Sequence, residues 1–504
     1  MNMYSNAFDP AASTGKVDPR IVIVGAGMSG MLLGVVLHRR GFRNFVILEK
    51  AEKVGGTWRE NAYPGLACDV PAYTYTYSFE PNAEWSHRFA RGPEIQKYFE
   101  RVHAKYGLEQ YVRCNAKADS AKYENGQWTV TLEGGETLNA DLVISAAGFL
   151  HHPSTPGIPG LGDFAGKTWH SARWDHSVDL TDKHVGIIGT GSTAVQIVGE
   201  LAGKCAKLSQ FQRTAQWVHP AYDTAYSEWS KKLLRRLPIL PRLFSRMYAF
   251  ALSLTISRLP VPDSYIHKIL GWGCRRALKS VKDPVLRKKL TPDYQPGCKR
   301  LIFSDTYYKG IQRPDSELVT DQIERIESGG VRTRDGRLHE LDVLVMATGF
   351  HAHSYMRPMR VTGEMGLELD DFWEPGAVAH RGVAIPGFPN FFMMLGPHSP
   401  IGNFSVIAIS EAQADYILPF IEMYRDGKAR RIEASLEATQ KYNDAMRKIA
   451  KGTVWARGGC TSWYIDKTGL PAIWPDTFAV YKHALETAGR DEFIFSGPAQ
   501  RTDN

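Results

Sequence analysis

The chain has 504 residues, of which 43% are hydrophobic and 23% are charged. This length exceeds one ordinary hydrophobic core and predicts two or three globular domains. The 61 Lys and Arg residues are interspersed with 53 Asp and Glu residues, giving a net charge of +8 without a long basic tail, so no nucleic-acid partner is expected.

The cysteines and the apolar runs bear on redox chemistry and location. No CxxC pair occurs among Cys68, Cys114, Cys205, Cys274, Cys298 and Cys460, which argues against zinc clusters and a redox-active disulfide. The N-terminus lacks the apolar core of a secretory signal. The apolar run 247–256 is about half the ~20 residues that a spanning helix needs. We therefore expect reduced thiols, a cytoplasmic location and no stable membrane insertion.

The first elements after a polar arm (1–19) form a βαβ unit. The β-branched run Ile21–Val24 is followed by glycines, a helical pattern to Arg40 and a second strand at Phe45–Leu48. The turn carries the spacing Gly25, Gly27, Gly30. Glycines at these positions allow a tight turn, close approach of a pyrophosphate and close helix–strand packing. Glu49 ends the second strand, where a carboxylate can accept hydrogen bonds from a ribose diol.

A second unit of the same kind begins at Val185–Ile188. It contains Gly189, Gly191 and Ser192, with Ala194 at the third glycine position, and a strand at about 208–211. No acidic residue ends this strand; Arg213 and Thr214 follow instead. A guanidinium can pair with a 2′-phosphate, which an acid would repel. The asymmetry assigns FAD to the first unit and NADPH to the second, the alternative being that Arg213 is an ordinary surface arginine.

Two further strands, within 141–148 and 342–349, complete an α/β fold with two Rossmann-type domains, the second inserted into the first. We predict an FAD domain at 20–150 and 385–504, an NADP domain at 151–221 and 297–384, and a helical insertion at 222–296. The insertion is basic and amphipathic. We expect its apolar face to cover the site; a membrane-surface helix is the alternative, disfavoured by four prolines.

The segment from Phe164 to Asp175 carries a more specific pattern, formed by Phe164, Gly166, His170, Trp174 and Asp175. It resembles the FxGxxxHxxxW[P/D] fingerprint of type I Baeyer–Villiger monooxygenases, and the resemblance extends from Ile21 to about Tyr481. It implies that His170 organises the linker between the domains; a packed junction histidine is an equal alternative. No metal-ligand spacing accompanies any histidine.

The same resemblance implies roles for other residues. Gly56, Thr57 and Trp58 look like the flavin-contacting turn, and Trp463 like the NADP-contacting tryptophan. Lys299 would help to hold the 2′-phosphate. Arg300 would face the flavin with Asp69 beside it, although many relatives have a basic residue where Ala67 stands. A structural ion pair is the alternative for Asp69 and Arg300.

The implied reaction converts ketones to esters or lactones with FAD, NADPH and O₂. It requires a flavin peroxide that stays deprotonated, and the permanent charge of Arg300 would favour that anion and the oxyanion that follows. N- or S-oxygenation and an uncoupled NADPH oxidase or regulatory flavoprotein are the alternatives. We expect the ketone pocket to draw on the insertion, on 356–372, on 396–402 and on residues near Trp463. The protein is expected to be a monomer or a small homo-oligomer.

Overall fold

The structure is a computed structural model that describes residues 17–237, 239–402, 404–466 and 468–497. Most of the predicted N-terminal arm therefore lies outside the described residues. The strands are, in chain order, β1 Ile21–Val24, β2 Phe45–Leu48, β3 Val112–Arg113, β4 Ala118–Glu124, β5 Gln127–Leu132, β6 Thr137–Ala140, β7 Leu142–Ser145, β8 Lys167–His170, β9 His184–Ile188, β10 Lys207–Phe211, β11 Val218–His219, β12 Ile302–Phe303, β13 Ser316–Val319, β14 Ile323–Glu327, β15 Gly330–Thr333, β16 Leu338–Glu340, β17 Val343–Met346, β18 Arg360–Thr362, β19 Phe391–Met393, β20 Arg431–Ala434 and β21 Phe493–Ser496.

The α-helices are α1 Met28–Arg39, α2 Thr57–Glu60, α3 Gly92–Lys105, α4 Ser192–Leu201, α5 Glu228–Arg236, α6 Ile239–Leu254, α7 Tyr265–Leu278, α8 Pro284–Lys289, α9 Tyr307–Gly310, α10 Leu369–Phe372, α11 Val406–Arg425, α12 Leu436–Ala450, α13 Val454–Arg457 and α14 Phe478–Glu486. Short 3₁₀ turns occur between them, among them Ala72–Thr74 and Ile256–Arg258. None of the helices in the described part of the chain is both long enough and apolar enough to span a lipid bilayer.

The first large sheet has the strand order β19-β7-β1-β2-β3, and all of its pairs are parallel. Its central strands are continuous apolar runs because helices and a smaller sheet cover its two faces. Helices α1 and α11 pack in one core with the inward side chains of β1 and β2. Side chains from β4 and β5 pack in a second core on the other face. The late strand β19 thus joins strands from the first 145 residues.

The second large sheet has the order β13-β10-β9-β17-β8 and is also parallel. Helix α4 packs against it through a core that includes Val195 and Val198. The α/β class with two parallel dinucleotide-type sheets is confirmed. The boundaries assigned to the individual domains stay predictions.

Helices α5 to α8 lie within the predicted insertion at 222–296. The inner side of α6 packs on the 3₁₀ turn at 72–74, where the ring of Tyr73 lies 5.7 Å from Phe244 and 6.3 Å from Tyr248. The other side of α6 is exposed.

One expectation about the cysteines is wrong. Cys298 and Cys460 form a disulfide across 162 residues of sequence, with their Cα atoms 6.1 Å apart. No local motif signals such a pair, because folding alone brings the two segments together. The bond joins the segment of Lys299 and Arg300 to the segment of Trp463, and the argument from reduced thiols to a cytoplasmic location loses its basis.

Titration of thiols tests this bond directly. In denaturant, the unreduced protein should expose the four remaining thiols, those of Cys68, Cys114, Cys205 and Cys274. Prior reduction should raise the number to all six cysteines of the chain. Cys460→Ser supplies the control, since it should give the same number of thiols with and without reduction. Six reactive thiols in the unreduced wild-type protein would mean that the bond is not formed.

Candidate active site

A cavity of 790 Å³ lies where strands of both large sheets end. Residues that directly follow the carboxyl ends of β1, β7 and β17 line it, which is where open parallel sheets bind ligands. The predicted site residues in its lining are Gly25, Gly27, Glu49, Gly56, Thr57, Trp58, Asp69, Gly191, Ser192, Arg300 and Trp463. The structure therefore brings both glycine fingerprints to one cavity.

The two glycine turns have the same construction. Gly25 and Gly189 both have positive φ, +106° and +133°. A β-carbon would lie 2.7 Å from the carbonyl oxygen of Ala146 at the first position and 2.3 Å from that of Ala347 at the second. Any other residue would be strained and would clash with the neighbouring strand's continuation. Each turn leads into a helix whose first N–H groups are available to an anion.

Glu49 is buried at the end of β2 and is held by three donors. Its Oε2 accepts a hydrogen bond from the backbone N–H of Ala26 (3.0 Å), and its Oε1 accepts from the N–H of Ala51 (3.0 Å) and from Arg59 (3.0 Å). These bonds fix the carboxylate beside the first glycine turn. Each oxygen has two lone pairs, so acceptor capacity remains for a ribose hydroxyl.

Asp69 and Arg300 form a two-pronged ion pair at the wall of the cavity. Nε and Nη2 of Arg300 each donate to one carboxylate oxygen of Asp69 at 2.8 Å. The side chain of Arg300 is 38% exposed, and that exposure is toward the cavity. Burial lowers the pKa of Arg300, but the charge and hydrogen bonds of Asp69 outweigh it and raise the pKa above its ordinary value. Arg300 is thus a fixed cation with unused N–H donors beside the cavity.

The loop of Asp69 is anchored to the second sheet's helix. The carbonyl of Ala67 accepts a hydrogen bond from the side chain of Gln196 on α4 (2.9 Å), and Tyr63 donates to the same side chain (2.9 Å). Arg300 is held in turn by its neighbours Leu301 and Ile302, which are both buried. The Asp69–Arg300 ion pair therefore lies at the cavity, where the part of the chain that contains the first large sheet meets the part that contains the second.

Lys299 and Arg213 lie near each other outside the cavity lining. Burial, followed by the charge of Arg213, lowers the pKa of Lys299. The ammonium lies over the ring of Tyr294 at 5.1 Å. Neither cation makes an ion pair with a carboxylate among the described residues. The charge of Asp293 acts on Lys299 only from beyond ion-pair distance and opposes the lowering of its pKa. Two neighbouring cations that make no ion pair favour a site for a doubly charged group such as a phosphate.

The fingerprint residues build the junction next to the cavity. Nε2 of His170 bonds the carbonyl of Gly349 (3.0 Å), while its Nδ1 accepts from the N–H of Ala172 (3.1 Å). The acceptor role of Nδ1 places the proton on Nε2, and burial lowers the pKa of His170, so the ring is neutral. Phe164 and Trp174 pack in cores, and a β-carbon at Gly166 would lie 2.3 Å from the carbonyl of Asp342. Asp175 is half-buried, and its Oδ1 accepts from the N–H and the hydroxyl of Ser177.

Several predicted site residues do not line the cavity, and several residues that do line it were not predicted from the sequence. Gly30, Gly189 and Thr214 support the turns rather than line the cavity. Met356 and Trp463 line it, whereas no described residue of 222–296 does. The expected contribution of the insertion to a ketone pocket stays a prediction. His151, His152 and Phe404 line it without any preceding motif. Within the described residues no cluster of metal-ligating side chains occurs.

Tyr464 is another residue that the motifs did not single out. Its buried phenol lies beside Arg300; burial raises the pKa of Tyr464 to about 12, although the charge of Arg300 acts in the opposite direction. The ring packs against Trp463 at 4.7 Å. A neutral phenol at this place closes one side of the Asp69–Arg300 pair. Only its position next to Trp463 in the sequence could have indicated it.

The chain is similar to known proteins over nearly its whole length. Residues 22–239 match the model of the family described as pyridine nucleotide-disulphide oxidoreductase. A Baeyer–Villiger monooxygenase of Streptomyces coelicolor is 37% identical over 95% of this chain and 93% of its own length. An uncharacterized monooxygenase of Mycobacterium tuberculosis is 47% identical over 92% of this chain and 93% of its own. An oxidized steroid monooxygenase bound to NADP is 28% identical, with a TM-score of 0.85 over 95% of this chain and all of that one.

Proposed function

Because this chain belongs to the family of Baeyer–Villiger monooxygenases, we propose that it oxidises ketones to esters or lactones with FAD, NADPH and O₂. The observation that carries the proposal is the Asp69–Arg300 pair in a cavity bordered by both glycine fingerprints. A solved cyclohexanone monooxygenase shares this fold, with a TM-score of 0.85.

The residues present fit both dinucleotides. The turn at 25–30, Glu49 and the turn at 56–58 would hold FAD along the cavity. The turn at 189–192, Thr214 and Trp463 would hold NADPH, and the unpaired cations Arg213 and Lys299 would bind its 2′-phosphate. Bound FAD supplies the oxygenating chemistry after reduction by NADPH and reaction with O₂.

Arg300 performs two tasks in this proposal. Its charge is permanent, so it favours an anionic oxidant over a protonated one at any working pH. Its free N–H groups can also donate to the carbonyl oxygen of the ketone as negative charge develops there. Asp69 orients the guanidinium by occupying Nε and one proton of Nη2, which leaves the remaining protons directed elsewhere. His170 positions the segment after β17 and holds no reacting atom.

The Cys298–Cys460 disulfide does not support a disulfide reductase. Cys298 is fully buried, and neither cysteine lines the cavity in which the flavin would lie. The family model matches residues 22–239, which contain both glycine units but neither Cys298 nor Cys460.

The proposal is tested by the stoichiometry of the reaction. The purified FAD-loaded enzyme is given NADPH, O₂ and a panel of cyclic, linear and aryl ketones. We expect one ester or lactone for each NADPH consumed with at least one class of ketone, and hydrogen peroxide only as a minor product. Peroxide equal to NADPH with every ketone would indicate an oxidase, and oxygenation of amines or sulfides alone would indicate the N- or S-oxygenating reaction.

A further inference from the structure

The insertion carries an unusual share of the exposed apolar surface. Of the 20 large hydrophobic side chains that are exposed among the described residues, 11 lie between Trp229 and Trp272. Scattered single hydrophobic residues are normal on a surface, but a concentration of this kind marks an interaction site.

Helix α6 shows how this surface is organised. Its outer face consists of Ile239, Leu243, Met247, Phe250 and Leu254, all of them exposed, at the spacing of one helical stripe. Ile239 is 70% exposed and Phe250 is 67% exposed. The opposite side already packs through Phe244 and Tyr248 on Tyr73. The outer face is therefore not needed to hold the helix in the fold.

Residues 228–279, which include this surface, contain all of the excess positive charge of the protein. Residues 228–279 hold 11 of the 61 Lys and Arg residues and only 2 of the 53 Asp and Glu residues. Their net charge of +9 exceeds the +8 of the whole chain, so the rest of the protein is close to neutral. Arg242 and Arg246 are exposed on the side of the apolar stripe and make no ion pair among the described residues.

Aromatic residues accompany the basic ones on the neighbouring helices. Trp229 on α5 is 73% exposed, and Trp272 on α7 is 57% exposed with the guanidinium of Arg276 over its ring at 5.3 Å. The 3₁₀ turn at 256–258 packs against both α6 and α7. Exposed aliphatic residues, tryptophan and unpaired arginine are the composition of helices that lie in the headgroup region of a bilayer.

We propose that the outer face of α6 docks on an anionic lipid surface, with its apolar stripe in the headgroup region and Arg242 and Arg246 against lipid phosphates. A second copy of this chain fits less well, because a two-fold axis would bring two strongly positive faces together. The interaction is peripheral, and it is independent of the oxygenation chemistry.

The test uses FAD-loaded protein and sedimentation with vesicles. Vesicles of phosphatidylcholine with phosphatidylglycerol should bind the protein, and vesicles of phosphatidylcholine alone should bind it about tenfold or more weakly. Added salt should weaken the binding, since screening reduces the attraction of surface charges. Equal binding to both vesicles, or binding to neither, would overturn the proposal.

Paired variants test whether the outer face of α6, and not charge or apolar surface elsewhere on the protein, binds the vesicles. Arg242→Glu with Arg246→Glu, and separately Met247→Ser with Phe250→Ser, should each lower the partition into anionic vesicles by about tenfold or more. The control for charge is Lys441→Glu with Lys448→Glu, two exposed lysines of α12. The control for apolar surface is Met365→Ser with Val480→Ser, which are both exposed. Both controls should bind like wild type. A solution dimer that Met247→Ser with Phe250→Ser dissociates would show a self-interface instead, and binding only to an acidic protein would show a protein partner.

Discussion

Replacing Arg300 by alanine is expected to lower the rate of ester formation by about two to three orders of magnitude, the usual cost of removing one preorganised donor from a developing oxyanion. The variant loses the cation at the cavity and leaves the carboxylate of Asp69 without its partner. Oxidation of NADPH should continue, because the residues proposed to bind the coenzyme are unchanged, and peroxide should replace the ester as product. The measurement is kcat for ester, NADPH and peroxide in the same reaction.

Two further variants show whether the loss of ester formation comes from the guanidinium at the cavity. Arg313→Ala breaks another Arg–Asp pair, with Asp315, that lies on the surface away from the cavity, and it should keep the wild-type rate. Arg300→Lys keeps the charge but loses the two-pronged geometry, so it should recover only part of the activity. If Arg300→Ala retains its FAD and forms ester within a factor of two of wild type, the proposed role of Arg300 is wrong.

The parts of the fold that could be predicted from the sequence are those determined by local patterns. The strands at Ile21–Val24 and Phe45–Leu48 have the predicted bounds, because short β-branched runs next to glycine turns leave little choice of register. The second unit begins one residue earlier than predicted, at His184. The proximity of Asp69 to Arg300 followed from the family resemblance, since 231 residues of sequence separate them.

Features that depend on tertiary packing could not be predicted in this way. The Cys298–Cys460 bond joins segments that only the complete fold brings together. The amphipathic pattern of α6 suggested one apolar face directed at the site, yet the helix has apolar residues on both sides and contributes none to the cavity lining. Periodicity identifies a helix and its stripes, but not which stripe the rest of the chain covers.

A second large effect is expected on the choice of coenzyme. Lys299→Ala with Arg213→Ala should raise the KM for NADPH by about 100-fold or more, because each of the two lost charge-assisted hydrogen bonds contributes about 1.5–3 kcal/mol. The KM for NADH should change little, since NADH lacks the 2′-phosphate.

The affinity for NADPH should also depend on pH through Lys299. Because the pKa of Lys299 is lowered, the free enzyme loses this charge at a lower pH than an ordinary lysine would, and affinity for NADPH should fall as the pH rises through that pKa.

The 2′-phosphate can be examined apart from hydride transfer. Inhibition by adenosine 2′-monophosphate should weaken in the double variant as much as binding of NADPH does, and Lys309→Ala, an exposed lysine on α9, serves as the control. The alkaline loss of affinity should disappear in Lys299→Ala, because the titrating group is then absent. An equal rise of KM for NADPH and NADH would contradict binding of the 2′-phosphate by Lys299 and Arg213. It would mean that the two cations stabilise the fold of the domain and do not contact the phosphate.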